Sequence, residues 1–507
     1  MTKSISILIV ISGLLISKTS HAQQVYFNNR YDFNGSQEVI WSVLETDSGY
    51  LCAAGVGAGE ILLLSLDTLG NTVEEKPYGK TGGTLFPGLS GSLIKTADGG
   101  FALGGSIDLG NVSNAMLWRF DKNLDTVWTK TYGTPIYSQI GYQCKQTPDG
   151  GFVIIGVTDQ FVGNDILLIK TDSLGDQQWQ RAYGGSATES GLSINLTLDN
   201  GYILGGSTKS FGAGGADMYV IKVDSLGNQQ WDTTFGGIYD DGAARVMQAS
   251  DGGYLIGGAI GQYILSSSFT QRQPLIVKLN SQGVIEWEKG YGPARYLTST
   301  LSIHEQSDGS FVAAGQSNNS RGIVAGSGWA IGFILKVTGQ GDSVWYREHE
   351  YDTCYKNDDF LRDMKPTNDG GFVTAGFFGP RTAPPCNDTG SQDMWVLKLD
   401  SCGCAYAGCD SACQQLVGVE ELQDDEAKIL IYPNPFSSQA TVQFDRLTTD
   451  AELMIYDVTG RLVSKYAIRK NLNSLTLVGK EIGTGIFFLQ LSQEHSVIAS
   501  QKVIINK

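Results

Sequence analysis

Residues 198–237 read LDNGYILGGSTKSFGAGGADMYVIKVDSLGNQQWDTTFGG. An Asp199-Asn200-Gly201 turn signal precedes a small apolar run, Tyr202 to Gly206. A richer run, Met218 to Val223, follows a variable segment and ends at Asp224-Ser225-Leu226-Gly227. The last segment carries Trp231 and closes at Phe235-Gly236. With the alternating residues just before Asp199, this makes four short strands joined by tight turns. Glycine supplies positive φ in such turns and aspartate caps its own turn. No part of this region has sustained helical periodicity.

The pattern recurs. Its turn aspartate returns at Asp47, Asp98, Asp149, Asp199, Asp251, Asp308 and Asp369, and a tryptophan follows at Trp128, Trp179, Trp231, Trp287 and Trp345. Four strands in roughly 50 residues, repeated seven times, predict an all-β, seven-bladed β-propeller, because one blade alone buries too little surface. The seventh copy runs through Trp395 to Asp400 and has no fourth strand of its own. Val25 to Asp32, VYFNNRYD, matches the fourth-strand pattern QWQRAYGG, so it is expected to complete the last blade and remove a free sheet edge. The repeat resembles the propeller repeats of surface and secreted proteins of Bacteroidetes-type bacteria. Its D-x-x-G-x-x-x-W run is similar to the tryptophan-docking motif of quinoprotein-like propellers. That resemblance implies a fold, not an activity.

Composition narrows the setting. The 507 residues carry 36 Lys+Arg against 52 Asp+Glu, a formal charge of −16 that argues against nucleic acid as a partner. Lys3, the apolar run Ile5 to Ile16 and Ser20-His21-Ala22 read as a signal peptide over residues 1–22. The run is too short to span a bilayer, and no transmembrane span is expected in the mature chain. An oxidising compartment makes disulfides the default for the eight cysteines. Cys52 and Cys144 sit in apolar strands and read as free, buried thiols. Cys354 and Cys386 stand in two long loops and are disulfide candidates. Cys402, Cys404, Cys409 and Cys413 form a C-x-C-x4-C-x3-C cluster that fits no standard zinc spacing; disulfides are the favoured reading, with connectivity open.

Loops between second and third strands, and between blades, vary among the copies and share one end of the barrel of strands. Function on a rigid scaffold concentrates in such loops. The candidate ligand face therefore comprises Tyr263, Phe269, Trp329, Arg321, Phe378, Arg381, Tyr239 and Asp240. Aromatic rings that stack, beside charged groups that orient, suit sugar or peptide recognition. A packing role on the rim is the alternative. The lysine at Lys170, Lys222, Lys278, Lys336 and Lys398 recurs at the same place in the repeat and reads as structural. The turn aspartates are explained by capping, without calcium. No catalytic residue, metal ligand or cofactor is assigned.

After the propeller region (residues 23–404), residues 405–428 read as a Cys-rich and acidic linker, and a new β pattern fills 429–507. Tyr432-Pro433-Asn434-Pro435-Phe436, Tyr456 to Arg461 around Gly460, Gly483 to Leu489 around Gly485, and the ending Gln501 to Lys507 follow in order. This arrangement resembles the type A sorting domain of the type IX secretion system. Ile482-Gly483 stands where that family usually has Leu-Pro, and Phe487 replaces its usual Tyr. The resemblance implies a small β-sandwich, recognition by the type IX translocon and sorting machinery, and delivery through the periplasm to the medium or the outer-membrane surface.

The function expected is an exported binding protein for adhesion or for capture of a glycan or surface protein. A carbohydrate-active or quinoprotein-like propeller enzyme is one alternative, although no G-x-S-x-G or H-E-x-x-H motif is present. A structural docking scaffold is the other.

Overall fold

The repeats fold as antiparallel sheets because their Asp- and Gly-bearing turns return the chain at fixed points. In a computed structural model, residues 26–57, 59–79, 82–263, 270–293, 295, 298–318, 330–350, 359–379, 392–406, 429–432, 436–444, 449–457, 461–470, 472, 474–493 and 496–505 are described. The chain divides into two units, Met1–Val417 and Gly418–Lys507.

Among the described residues, the first unit contains seven separate sheets. Sheet 1 runs Glu38–Thr46, Gly49–Val56, Glu60–Asp67, Thr72–Tyr78. Sheet 2 spans Thr84 to Tyr132, with its first strand split into Thr84–Phe86 and Leu93–Lys95. Sheets 3 and 4 span Gln139 to Tyr183 and Glu189 to Phe235. Sheets 5 and 6 span Gly242 to Gly290 and Ser299 to His349. Sheet 7 takes Asp359–Pro366, Phe372–Phe378 and Asp393–Leu399 from the last repeat. Its fourth strand is Phe27–Tyr31, paired antiparallel so that Tyr31 faces Met394. Sheets of four antiparallel strands are consistent with propeller blades.

The apolar residues of successive sheets merge into shared cores. Ile203, Val220 and Phe235 of sheet 4 pack with Val246, Ile256 and Val277 of sheet 5. Phe27, Tyr31, Val373 and Val396 of sheet 7 pack with Ile40, Val43 and Leu64 of sheet 1.

Two contacts repeat along this series. The fourth-strand tyrosine donates its hydroxyl to the turn glycine carbonyl of the next sheet: Tyr132 to Gly175 at 2.8 Å, Tyr183 to Gly227 at 2.7 Å, Tyr291 to Gly341 at 2.7 Å. Tyr31 does the same to Gly70 at 2.6 Å. The indole of Trp179 covers Gly227, where a Cβ would meet the ring at 2.9 Å, so only glycine fits under it. Phe27 takes the indole's place over Gly70.

In the second unit, a three-stranded sheet (Ile429–Tyr432, Gln439–Phe444, Ser474–Val478) and a four-stranded sheet (Ala451–Asp457, Leu462–Ile468, Gly485–Gln493, Ser496–Ile505) are described. Val442 and Leu477 of the first share one core with Leu453, Leu489 and Val503 of the second. Two sheets closing on one core is sandwich packing.

Candidate functional site

The first strand of six sheets carries a β-bulge, and the residue just after it is polar and buried. The register shifts before Ser42, Gln143, Ser193, Arg245, Ser302 and Asp363. All six are below a tenth exposed. A bulge re-aims a side chain, and here it sends each group toward the neighbouring first strand. Leu93 N–H donates to Ser42 Oγ, and Gln143 Nε2 donates to the Ser90 carbonyl. Ile194 N–H donates to Gln143 Oε1, and Val246 N–H to Ser193 Oγ. Arg245 Nε donates to the Leu301 carbonyl, and Ser302 Oγ to that of Met364. Ser42 Oγ donates to Asp363 Oδ2 at 3.0 Å. Every junction between consecutive sheets, and that between sheets 7 and 1, carries one such bond.

This belt surrounds a cavity of about 70 Å³ lined also by Lys145, His304 and Lys365. A polar cavity of that size has room for ordered water. Burial pushes Lys145 down to about 8, with Lys365 adding to the shift. Burial and Lys365 push His304 down to about 3. Burial alone would raise the Asp363 carboxyl; Lys365, the Val43 amide and Ser90 outweigh it and hold it below its usual range. The cluster reads as a polar fastening of the sheets.

The loop end holds a second recurring feature. Asp165, which opens the third strand of sheet 3, meets Glu189, which opens sheet 4. Asp217 meets Asp241 in the same way one sheet later. A Cβ on Gly184 would lie 2.0 Å from Asp165 Oδ1 and 2.5 Å from Glu189 Oε2. A Cβ on Gly236 would lie 2.1 Å from Asp241 Oδ2 and 2.2 Å from Asp217 Oδ1. Each pair of oxygens therefore stands no farther apart than the sum of those distances. Burial, then the charge of Glu189, raises the Asp165 carboxyl. Asp165 Oδ1 is buried and accepts no hydrogen bond. The glycine ending each fourth strand is thus demanded by the carboxyl pair pressed against it.

Of the ligand face read from sequence, the structure brings Tyr239 and Asp240 to this end. Tyr239 is half-buried and Asp240 exposed. Asp240 Oδ1 accepts from the Ala216 amide at 2.9 Å, and its carbonyl accepts from Arg272 Nε at 3.0 Å. Its neighbour Asp241 is 4% exposed and accepts from the Gly237 and Gly261 amides, so the two acids do not act as an exposed pair. Phe378 requires correction. It is 1% exposed, ends a strand, and packs inward with Arg30 over its ring at 5.2 Å. The strand continues through the position assigned to a loop. Tyr263 ends the strand Tyr254–Tyr263, with its side chain outside the described residues. Phe269, Arg321, Trp329, Arg381, Cys354, Cys386, Cys409 and Cys413 lie outside them, as do Pro433, Asn434, Pro435, Gly460 and Lys507. Gly485 opens a strand at φ 146°. Cys52 and Cys144 are buried free thiols. Cys402 and Cys404 are disulfide-bonded in the structure.

One cleft went unforeseen. About 380 Å³ opens between sheets 1 and 2 at the short-turn end, with Tyr50, Phe101 and Leu124 as floor and Asp47, Glu74, Lys95 and Lys122 at the rim. Ligand pockets commonly measure ~300–1,000 Å³. Its origin is a lapse in the repeat. Register places Glu74 where other copies have tryptophan, and Ser65 where they have lysine. Leu124 replaces the turn glycine and keeps its φ of 61°. The signal was present in sequence, since the first copy lacks both the Trp and the Lys.

Residues 430–506 match the family described as the secretion system C-terminal sorting domain. The tail supports an exported protein served by the type IX machinery. Over 108 residues the chain is 28% identical to the regulatory protein FlaEY of Caulobacter vibrioides, covering 19% of this chain and 11% of that protein's length. Among solved structures, Sqt1 from Chaetomium thermophilum is 10% identical, with a TM-score of 0.43 over 83% of this chain and 98% of that one. The α-L-arabinofuranosidase Arb93A from Fusarium graminearum is 11% identical, with a TM-score of 0.40 over 75% and 98%.

Proposed function

We propose that the chain is an exported binding protein: a closed seven-bladed propeller that captures a glycan or surface protein through its variable-loop end. The match of residues 430–506 to a sorting domain carries the export half of this reading. The binding half is supported by connectivity. Antiparallel sheets bring Tyr263 and Thr270, Asn318 and Ala330, and Phe378 and Asp393, the strand ends that bracket the sequence segments 264–269, 319–329 and 380–391, to the same end as the strand ends that join consecutive sheets. Those segments hold Phe269, Arg321, Trp329 and Arg381. The belt of hydrogen bonds and the Tyr31–Gly70 contact support ring closure. Disulfides in the Cys402–Cys413 cluster and between Cys354 and Cys386 suit the same exported setting.

A second reading places the ligand in the cleft between sheets 1 and 2, favoured by its apolar floor and charged rim. Binding of the purified full chain to a panel of polysaccharides and cell-surface proteins separates the two. Loss of a saturable hit in Trp329→Ala or Tyr239→Ala, but not in Lys122→Glu, supports the loop end. The reverse supports the cleft. Glycan turnover would replace the binding reading with an enzymatic one.

A further inference from the structure

The polar pairs at the loop end recur at several junctions, and one of those junctions adds a further acid. In the pairings of fourth with third strands, Tyr132 faces Ala115, Tyr183 faces Ile166, Phe235 faces Met218 and Tyr31 faces Met394. The residue after each is Gly133, Gly184, Gly236 and Asp32. Opposite stand Asn114, Asp165, Asp217 and Asp393, and at or just before the start of the next sheet stand Gln139, Glu189, Asp241 and Glu38. Three junctions thus keep glycine against a polar pair. The junction of sheets 7 and 1 places a third carboxylate there.

Asp32, Glu38 and Asp393 each offer a carboxylate oxygen, all within 4.8 Å of one another. Two oxygens bound to one Ca²⁺ at about 2.3–2.6 Å stand at most about 5 Å apart, so one ion can reach all three. Glu38 and Asp393 are fully buried, while Asp32 is exposed and leaves the cluster open to solvent. Glu38 Oε1 accepts from the Phe33 amide at 2.7 Å and from Ser36 Oγ at 3.2 Å. Its other oxygen, Oε2, is buried and accepts no hydrogen bond. A buried carboxylate oxygen left so is costly unless a cation meets it or the group takes up a proton. Asp32 Oδ1 accepts from the Gly35 amide at 2.8 Å, and Arg30 pairs with Asp393.

We propose that Asp32, Glu38 and Asp393 bind one Ca²⁺. The donor set is hard oxygen, which excludes soft metals. Its irregular arrangement suits Ca²⁺ better than Mg²⁺, which demands a near-ideal octahedron and holds its waters. The ion ties the N-terminal strand and sheet 7 to the start of sheet 1, the junction between the two ends of the repeat series.

The test is calorimetric titration of the metal-stripped full chain with CaCl₂, with thermal unfolding in calcium and in chelator. The expected result is one site with Kd of about 10⁻⁴–10⁻³ M, the range of extracellular calcium modules, and a raised unfolding temperature. Asp32→Asn keeps the acceptor for Gly35 and is exposed, so it folds; it is expected to weaken binding at least about tenfold. Glu38→Gln is expected to do the same. Asp47→Asn, an exposed acid elsewhere, leaves binding unchanged. No saturable heat and no thermal shift at about 10 mM calcium overturns the proposal. So does undiminished binding in Asp32→Asn, or Mg²⁺ binding as tightly as Ca²⁺.

Discussion

Lys222 is 2% exposed at its side chain. It pairs with Asp199 at 2.8 Å and donates to the Val223 carbonyl at 3.0 Å. Lys170, Lys278, Lys336 and Lys398 make the same ion pair with the turn aspartates of their own sheets. Burial works to raise the Asp199 carboxyl, but Lys222, Thr197 and the Gly201 amide bring it down to about 2. Its folded pKa lies below the unfolded one, so its contribution is full above about pH 4 and is lost as pH falls toward 2. Asp199→Ala strands the lysine and should cost about 1–3 kcal/mol, allowing for the half-exposed aspartate. Denaturant unfolding at neutral and acid pH checks both statements. Asp165 has the opposite sign. Its carboxyl is raised by burial and then by Glu189, so its contribution is present at low pH and lost as pH rises through the folded pKa. Asp165→Asn copies Asn114 of the equivalent junction and should raise the unfolding temperature at about pH 8 but not at about pH 4. An equal gain at both would mean the pair is not ionised as drawn.

At the scale of the element, the bulge in the first strand does the joining. Asp363 accepts from Ser42, Val43, Ser90 and Gly91, so one carboxylate holds sheet 7 to sheets 1 and 2. Asp363→Ala leaves those buried donors and the half-buried Lys365 without it and should cost about 3–5 kcal/mol. Chemical denaturation of the full chain measures this. The strand Phe27–Tyr31 is the other joining element. Without it, Asp393–Leu399 becomes a sheet edge, and free edges pair with other chains. A chain beginning at Phe33 should self-associate, which light scattering would detect; a stable monomer would count against the strand's role.

At the scale of the whole molecule, the two units answer different questions. The second unit has its own core and matches the sorting family over residues 430–506. Removing residues 429–507 should leave the rest folded and retained inside a cell that has type IX secretion. Fractionation with an antibody to the first unit reads this out. Export of the shortened chain would detach the tail from the route.

Much of the fold is legible in the repeat itself. Turn glycines, the fourth-strand Tyr and the Trp recur at fixed offsets because their contacts link residues about one repeat apart, the turn aspartates because each pairs within its own sheet, and duplication copies them all. The absence of Trp and Lys from the first copy was likewise written in the sequence, though only the register shows that it opens a cleft. The bulges were not legible. A single extra residue in a strand changes which side chain faces inward without changing composition, so Ser42, Gln143 and Asp363 gave no sign of their roles. Phe378 misled because a strand can run one residue into an apparent loop. The carboxyl groups were least legible of all. Asp32 and Asp393 come from opposite ends of the repeat series, and neither stands out among 52 acids. Local pattern determined which residues form strands and turns, since that depends on neighbours along the chain. The assembly of the sheets alone decided which charges share a space, because burial and proximity exist only once distant strands pair.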